Sequence, residues 1–470
     1  MGNIAPGINP VMALRRFGID DLGLTPSDTT SIKRIQPAAS FIPNSPFNTL
    51  DQVEQDDVLI INSKLQGDLT SFVSKTLNMQ VVTAESVGVL ASNSGTLNRL
   101  NLQAAIDKLA LSSQKIKVIW HSDIYPMAPG LILHPEVVLA GNSEGMKGSP
   151  NVARFAVSDI DTTFLKFTSN NKFSGINIDY ITRDLLTTNP GSIPVAAPTF
   201  MKDGAGLMEG VRIEKMCVIG ASSFVDFTGC QDLKIEDIYG YPIHGALVKI
   251  KFCYDIPYLD HFHVNPGAGK FIRPLSGKSL PHSQQLMDWI QVNASPTYDF
   301  EAIDEINCNR FFAFSVKTAM KFVNSYGTVV QGNFDQVETM ADVDMNNSNS
   351  NFKTMKFLGC SGFGSGGATP ANRNGFVFRG TGGALMVLGM NVQLGDNEVL
   401  NNDNDYNANS FLKCVGTGPQ DVTLVGVKGK SGGVFAQDVD KQNSQCVVRY
   451  FDTEIENANV RHLTGLSGTY

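Results

Sequence analysis

The fold class predicted for this 470-residue chain is mainly β, a solenoid of stacked parallel strands, and three observations predict it. A four-residue pattern, apolar–acid–any–apolar, recurs as IDYI at Ile178, IEKM at Ile213, IEDI at Ile235, LDHF at Leu259, IDEI at Ile303 and FDQV at Phe334. The apolar runs around it are short and broken by Gly, Asn, Ser, Thr and Asp, the texture of strands joined by turns rather than of long helices. Self-similarity then returns at a shortest spacing of about 22 residues with no helical period. That combination marks repeats that bury their inward side chains only by stacking on their neighbours.

Taken in chain order, residues 1–55 are rich in Pro, Asn and Ser, carry a small basic patch at Arg15 and Arg16, and stand outside the repeat. Residues 56–125 form a neck and cap, with LQAAID as a short capping helix. Residues 126–460 form the solenoid, and 461–470 a C-terminal tail. With the acid relaxed, MKFL at Met355, VLGM at Val387, LVGV at Leu424 and IENA at Ile455 extend the series, giving about ten coils or more. Spacings longer than the shortest mean loops inserted at turns. Cys230 and Cys253 occupy matching points of two repeats, FVDFTGC and LVKIKFC, and are expected to stack in one interior column.

Composition narrows the function classes. A net charge of −8 argues against nucleic acid or an anionic membrane as partner, since both require a basic face. No run of apolar residues is long enough to cross a membrane, and the first residues lack the pattern of a signal peptide, so synthesis in a cytoplasm is expected. Seven cysteines without a CxxC pair indicate neither a disulfide framework nor a zinc site. GDNEVLNNDNDYN at 395–407 lacks the ordered ligand spacing of a calcium loop and is read as a turn cluster. No metal and no cofactor is expected.

Side chains alternate along a strand, so the acid of each pattern points outward between two inward residues. Coils stacked at about 4.8 Å would line up Asp179, Glu214, Glu236, Asp260, Asp304 and Asp335 in one outward column. Like charges at that spacing repel by roughly 1 kcal/mol in full solvent and about 3 kcal/mol at an effective dielectric near 20. Arg212 and Lys234 precede Glu214 and Glu236 on the same face and offset them. No base precedes Asp260, Asp304 or Asp335 in the same way.

Two readings of the column stay open. It is a set of surface ion pairs, or it supplies the two carboxylates of glycoside hydrolysis, near 5–5.5 Å apart for a retaining and about 6.5–9.5 Å for an inverting mechanism. The catalytic candidates are Glu236, Asp260 and Asp304. The long insertion between Leu259 and Ile303 carries Lys270, Arg273, Lys278, His282 and Trp289 and is placed as the wall of a sugar cleft, with Trp289 or Tyr298 as stacking surface. Arg273, His261 and Asp335 complete the substrate-binding candidates.

VGVLASNSGTLNRLNLQAAIDKLA at 87–110, followed by IKVIWHSDIY and GLILHPEVVLAGN, resembles the opening segment of the pectate-lyase-like right-handed β-helices of bacteriophage tailspikes, and VRIEKM and LKIEDI resemble that family's strand–turn signature. Asn93, Ser94 and Asn98 stand where the family usually places acids in the opening turn. The resemblance implies a right-handed parallel β-helix, a virion-attachment segment at 1–55 that docks on other tail or adaptor proteins, a homotrimer, a place on the phage tail, and a bacterial surface polysaccharide, O-antigen or capsule, as the target that is bound and hydrolysed. A non-enzymatic receptor-binding or structural tail protein, or a polysaccharide lyase, remains the alternative. Leu388 and Val425 continue the outward column as apolar residues and are expected near the subunit contact.

Overall fold

The computed structural model describes residues 79–111, 115–141, 152–181, 194–265, 289–290, 293–346, 353–364, 374–394, 410–431, 437–455 and 468–469. Residues 1–55, expected to be a virion-attachment segment, Arg273 and the acidic cluster at 395–407 lie outside them. The chain divides into two compact units, Met1–Val82 with Leu109–Lys117, and Thr83–Lys108 with Val118–Tyr470. The second unit is the right-handed parallel β-helix.

Each coil supplies three strand segments. Val225–Gln231 lies in a 12-stranded sheet, the first face, whose neighbours follow in chain order from Leu131–Ile132 to Gln437–Lys441. The chain then turns at Asp232 into Lys234–Gly240, which is bent at Asp237 so that 234–236 lies on a second face and 238–240 on a third. Val248–Tyr254 and Tyr258–Val264 repeat the plan one rung on. Among the described residues pairing within the faces is parallel, except for the antiparallel register that joins Arg449 and Tyr450 to the short strand Gly468–Thr469.

Register fixes what stacks on what. Phe173, Ile213, Ile235, Leu259, Cys308, Val329, Phe357, Val387 and Leu424 form one inward column on the second face, all buried. Cys230 pairs with Cys253 on the first face and both are buried, as expected. The early coils hold an aromatic core: Phe200 lies 5.1 Å from Phe167, 5.0 Å from Phe173 and 5.0 Å from Phe224, ring centroid to centroid.

The bend between second and third faces explains the recurring pattern. Lys215, Asp237, His261, Arg310 and Gln331 occupy it with φ of 56°, 56°, 55°, 52° and 54°, and Gly359, Gly389 and Gly426 take it over further along. A left-handed residue with a Cβ costs about 1–2 kcal/mol, so the stacked coils on either side must impose the turn. The freely varying third position of apolar–acid–any–apolar is a left-handed residue in every instance but IDYI, and in IEKM, IEDI and LDHF it is the one at this bend.

The same signature also marks other corners. Glu305 makes a left-handed turn between first and second faces, and Gln336 makes one at the end of the third. Ile303 therefore belongs to the first face, and Ile178 and Phe334 to the third, rather than to the inward column of Ile213. Asp179 is aligned with Ile219, and Asp335 with Phe314.

Helix α1, Gly95–Leu111, is longer than the predicted LQAAID and buries Leu102 and Ile106. Ser94 Oγ accepts the Leu97 N–H in its first turn. Fully buried Asn98 exchanges hydrogen bonds with the backbone of Leu90 and donates to the Pro126 carbonyl, so these amides tie the turn to the first coil. Leu131–Ile132 is the terminal strand of the first face among the described residues, and the side chain of Gln103 meets its outer edge. The Gln103 amide donates to the Ile132 carbonyl at 2.9 Å and accepts the Ile132 N–H at 2.9 Å, as a neighbouring strand would.

Candidate functional site

The outward column beside the bend runs Ser174, Glu214, Glu236, Asp260, Asn309 and then Val330, Leu358, Leu388, Val425 and Phe451. The acids thus occupy three consecutive rungs, and the apolar residues the C-terminal ones. Leu388 and Val425 stand in the column as expected. Asp335 does not.

Each acid of the row has a cation. Lys172 of the preceding coil pairs with Glu214, and Lys234 Nζ lies 2.8 Å from Glu236. Arg212, expected to offset Glu214, is drawn instead to Asp232 at 2.9 Å. Asp260, expected to lack compensation, is gripped by both arms of Arg310, with Nε donating to Oδ1 at 2.8 Å, and it accepts the Tyr258 hydroxyl at 3.3 Å. Arg310 is the left-handed residue of the next coil, so the base arrives across the rung rather than along the strand. Burial pushes the Asp260 carboxyl up, but the Arg310 hydrogen bonds and charge outweigh it and hold the group below the usual range, ionised. The Glu236 hydrogen bond raises the Lys234 ammonium in turn.

A depressed carboxyl contributes stability that is present above its unfolded value, near ~3.9, and is lost as pH falls through the folded one. Arg310 is half exposed, so screening limits the pair to about 1 kcal/mol. The Tm gap between wild type and Arg310→Gln, which keeps a side chain in the left-handed turn as Gln331 does, is therefore expected to be widest above pH ~5 and to narrow as the solution is acidified below the carboxylate range. Calorimetry across that interval checks it, and a gap that widens on acidification would refute it.

The remaining candidates scatter. Asp304 is at the corner between first and second faces, where its N–H donates to the Cys253 carbonyl. It is five residues before Asn309, the aligned neighbour of Asp260, and at ~3.3 Å per residue it stands roughly 15 Å from the row. It is not the rung neighbour that the pattern implied. Tyr298 is fully buried, edge-on to Phe262 and Phe311, with its hydroxyl donating to the Phe312 carbonyl at 3.1 Å, so it is core and no stacking surface. Half-buried Trp289 packs edge-to-face on His244 at 5.7 Å. His261 sits exposed on the bend, its Nδ1 2.6 Å from Asp237.

The third face carries a feature that the acid pattern did not signal. Tyr239, His263 and Phe312 stack in register, 4.7 Å and 4.5 Å between successive ring centroids, and Phe314 lies parallel to Phe312 at 6.5 Å. Burial raises the Tyr239 hydroxyl to about 12. Asp335, aligned with Phe314, is half-buried, and burial pushes its carboxyl up despite a backbone hydrogen bond at Gln336. The period-2 alternation of IYGY, FHV and RFFAF held this signal. Acid row, charged bend and ring column thus run side by side over the same rungs.

No protein-family model and no curated protein matches the sequence. Among solved structures, the chain is similar to the gp42 tailspike of Acinetobacter phage vb_AbaP_AS12, at 10% identity and a TM-score of 0.42 over 82% of this chain and 65% of that one. It is also similar to the A-module of the Azotobacter vinelandii mannuronan C-5 epimerase AlgE4, at 12% identity and 0.39 over 78% of this chain and 100% of that one. A third is tailspike protein 3 of bacteriophage CBA120, at 12% identity and 0.33 over 82% and 62%. At these values the likeness assigns neither substrate nor reaction.

Proposed function

We propose that the protein is a bacteriophage tail protein that binds a bacterial surface polysaccharide along the second and third faces and hydrolyses it with Glu236 and Asp260. The observation that carries the reaction is the contrast within that pair. The two acids are one rung apart, and Asp260 is clamped ionised by both arms of Arg310 whereas Glu236 meets the single ammonium of Lys234. An ionised carboxylate is suited to the nucleophile or base, and Glu236 can serve as the proton donor only once bound sugar has displaced Lys234 from it. A rung spacing of about 4.8 Å is nearer to the separation of a retaining than of an inverting enzyme. The ring column beside the row adds an apolar strip of ring edges, half-buried at His263 and Phe312, against which the C–H faces of pyranose units can pack.

A binder without catalysis is the second reading, favoured by the cation that each acid of the row already holds. Incubation with purified polysaccharide from a panel of host strains separates the two. New reducing ends support hydrolysis, retention without them supports the binder, and an unsaturated-uronate absorbance would assign a lyase. In this reading residues 1–55 attach the chain to another tail protein, and the virion is its working location.

The apolar run Val330, Leu358, Leu388, Val425 and Phe451 supports a homotrimer packed through the C-terminal rungs, since a solvent-facing apolar column of that length calls for a covering surface. Light scattering is expected to give three chains per particle, and Leu388→Lys with Val425→Lys to shift the mass toward one. A single-chain mass for the wild type would refute the trimer.

A further inference from the structure

A cleft of about 550 Å3 opens at the corner between first and second faces, away from the Glu236–Asp260 row. Phe252 forms one wall, and its backbone is the reason to look closely. It adopts φ of 54°, in register with Gly229 of the coil before and Ala302 of the coil after, which make the same turn at 75° and 53°. A bulky ring in the left-handed region is uncommon, and strain of this kind clusters at ligand sites. The ring is 45% exposed, so the core gains little from it. Glycine would make the turn with less strain.

Two more rings join it. Tyr254 is 49% exposed, and Tyr326 lies across the cleft with Lys353 Nζ 4.9 Å from its centroid. Asp304 is exposed at the rim and makes no ion pair among the described residues. Asn324 spends its carbonyl oxygen on the Asn346 N–H at 2.8 Å, which leaves its amide nitrogen to donate elsewhere. Flat apolar walls with a few polar groups at the rim complement a pyranose ring, whose C–H faces are apolar and whose edge carries hydroxyls. Asp304 and Lys353 cancel in charge, which favours an uncharged sugar over a uronate.

We propose that this cleft is a second saccharide site, which holds an uncharged hexopyranose unit between Phe252, Tyr254 and Tyr326. Asp304 and Asn324 take its hydroxyls. The assignment rests on the polysaccharide reading for the polymer that supplies the unit. It is tested without that polymer, by saturation-transfer NMR of the full chain with the methyl glycosides of glucose, galactose, mannose, rhamnose and N-acetylglucosamine.

At least one glycoside is expected to receive saturation, with millimolar affinity. Phe252→Gly and Tyr326→Ala are each expected to weaken it about tenfold, as loss of one stacking ring implies. Phe252→Gly should keep or raise the Tm, because Gly229 makes the same turn. Absence of transfer to every glycoside, or a signal unchanged in both Phe252→Gly and Tyr326→Ala, would overturn the proposal. In each of those cases reducing-end release still decides the row's reaction separately.

Discussion

Asp260→Asn is expected to lower polysaccharide cleavage by about 10²–10⁴-fold, the range for removing a positioned acid, base or nucleophile, while the chain still binds polysaccharide and stays folded. The amide keeps the shape of the carboxylate and can still accept from the Tyr258 hydroxyl, but it has no charge to attack with and cannot take a proton. Arg310 loses its charged partner, yet it is half exposed and water replaces much of the loss, so stability should fall by only about 1 kcal/mol. Glu236→Gln should act alike, since a proton donor is removed. Glu214→Gln is expected to leave turnover near wild type because Lys172 holds Glu214 as a surface ion pair, and Asp304→Asn should do so because it lies at another corner. Initial rates of reducing-end release decide the matter. Undiminished rates in both Glu236→Gln and Asp260→Asn would make the whole row a set of ion pairs and favour the binder.

Phe200→Ala should cost about 3–5 kcal/mol, because the side chain is fully enclosed by other rings and the coils cannot collapse into the space without breaking register. In a stacked fold each rung contacts only its neighbours, so the loss is local in origin, but the rungs on both sides lose their support. The comparison is Phe252→Gly, which also deletes a phenyl ring but from an exposed position. Urea unfolding followed by near-ultraviolet circular dichroism is expected to move the midpoint sharply for the first variant and little for the second. Equal shifts would mean that the inward column does not bear the fold's stability.

How much of this was legible in the sequence depended on the distance between interacting residues. Ile213, Ile235 and Leu259, and Cys230 with Cys253, were aligned correctly because successive coils there hold short loops and spacing alone sets the register. Asp304 and Asp335 were placed on the wrong column because an acid before a left-handed residue is what any bend of this chain uses, and the pattern does not say which bend. In the sequence Asp260 looks uncompensated because its base, Arg310, is 50 residues away and meets it only once rungs are stacked. Tyr298 was read as a sugar platform from its aromatic chemistry, which does not distinguish an inward from an outward ring. The alternation of Tyr239, His263 and Phe312 was present in the letters, but an acid-centred search passed over it.

A parallel sheet has two ends, and the exposed backbone edge of a terminal strand can recruit the strand of another molecule. Growth in that direction would string whole particles into filaments, a hazard that rises with concentration wherever many copies assemble close together. At Leu131–Ile132 the carboxamide of Gln103 occupies the N–H and C=O that an incoming chain would use. A glutamine can satisfy one residue's pair of backbone groups but has no next residue to pass the pattern on. The stack is thereby closed to addition at that edge by a group that imitates a strand and cannot extend one.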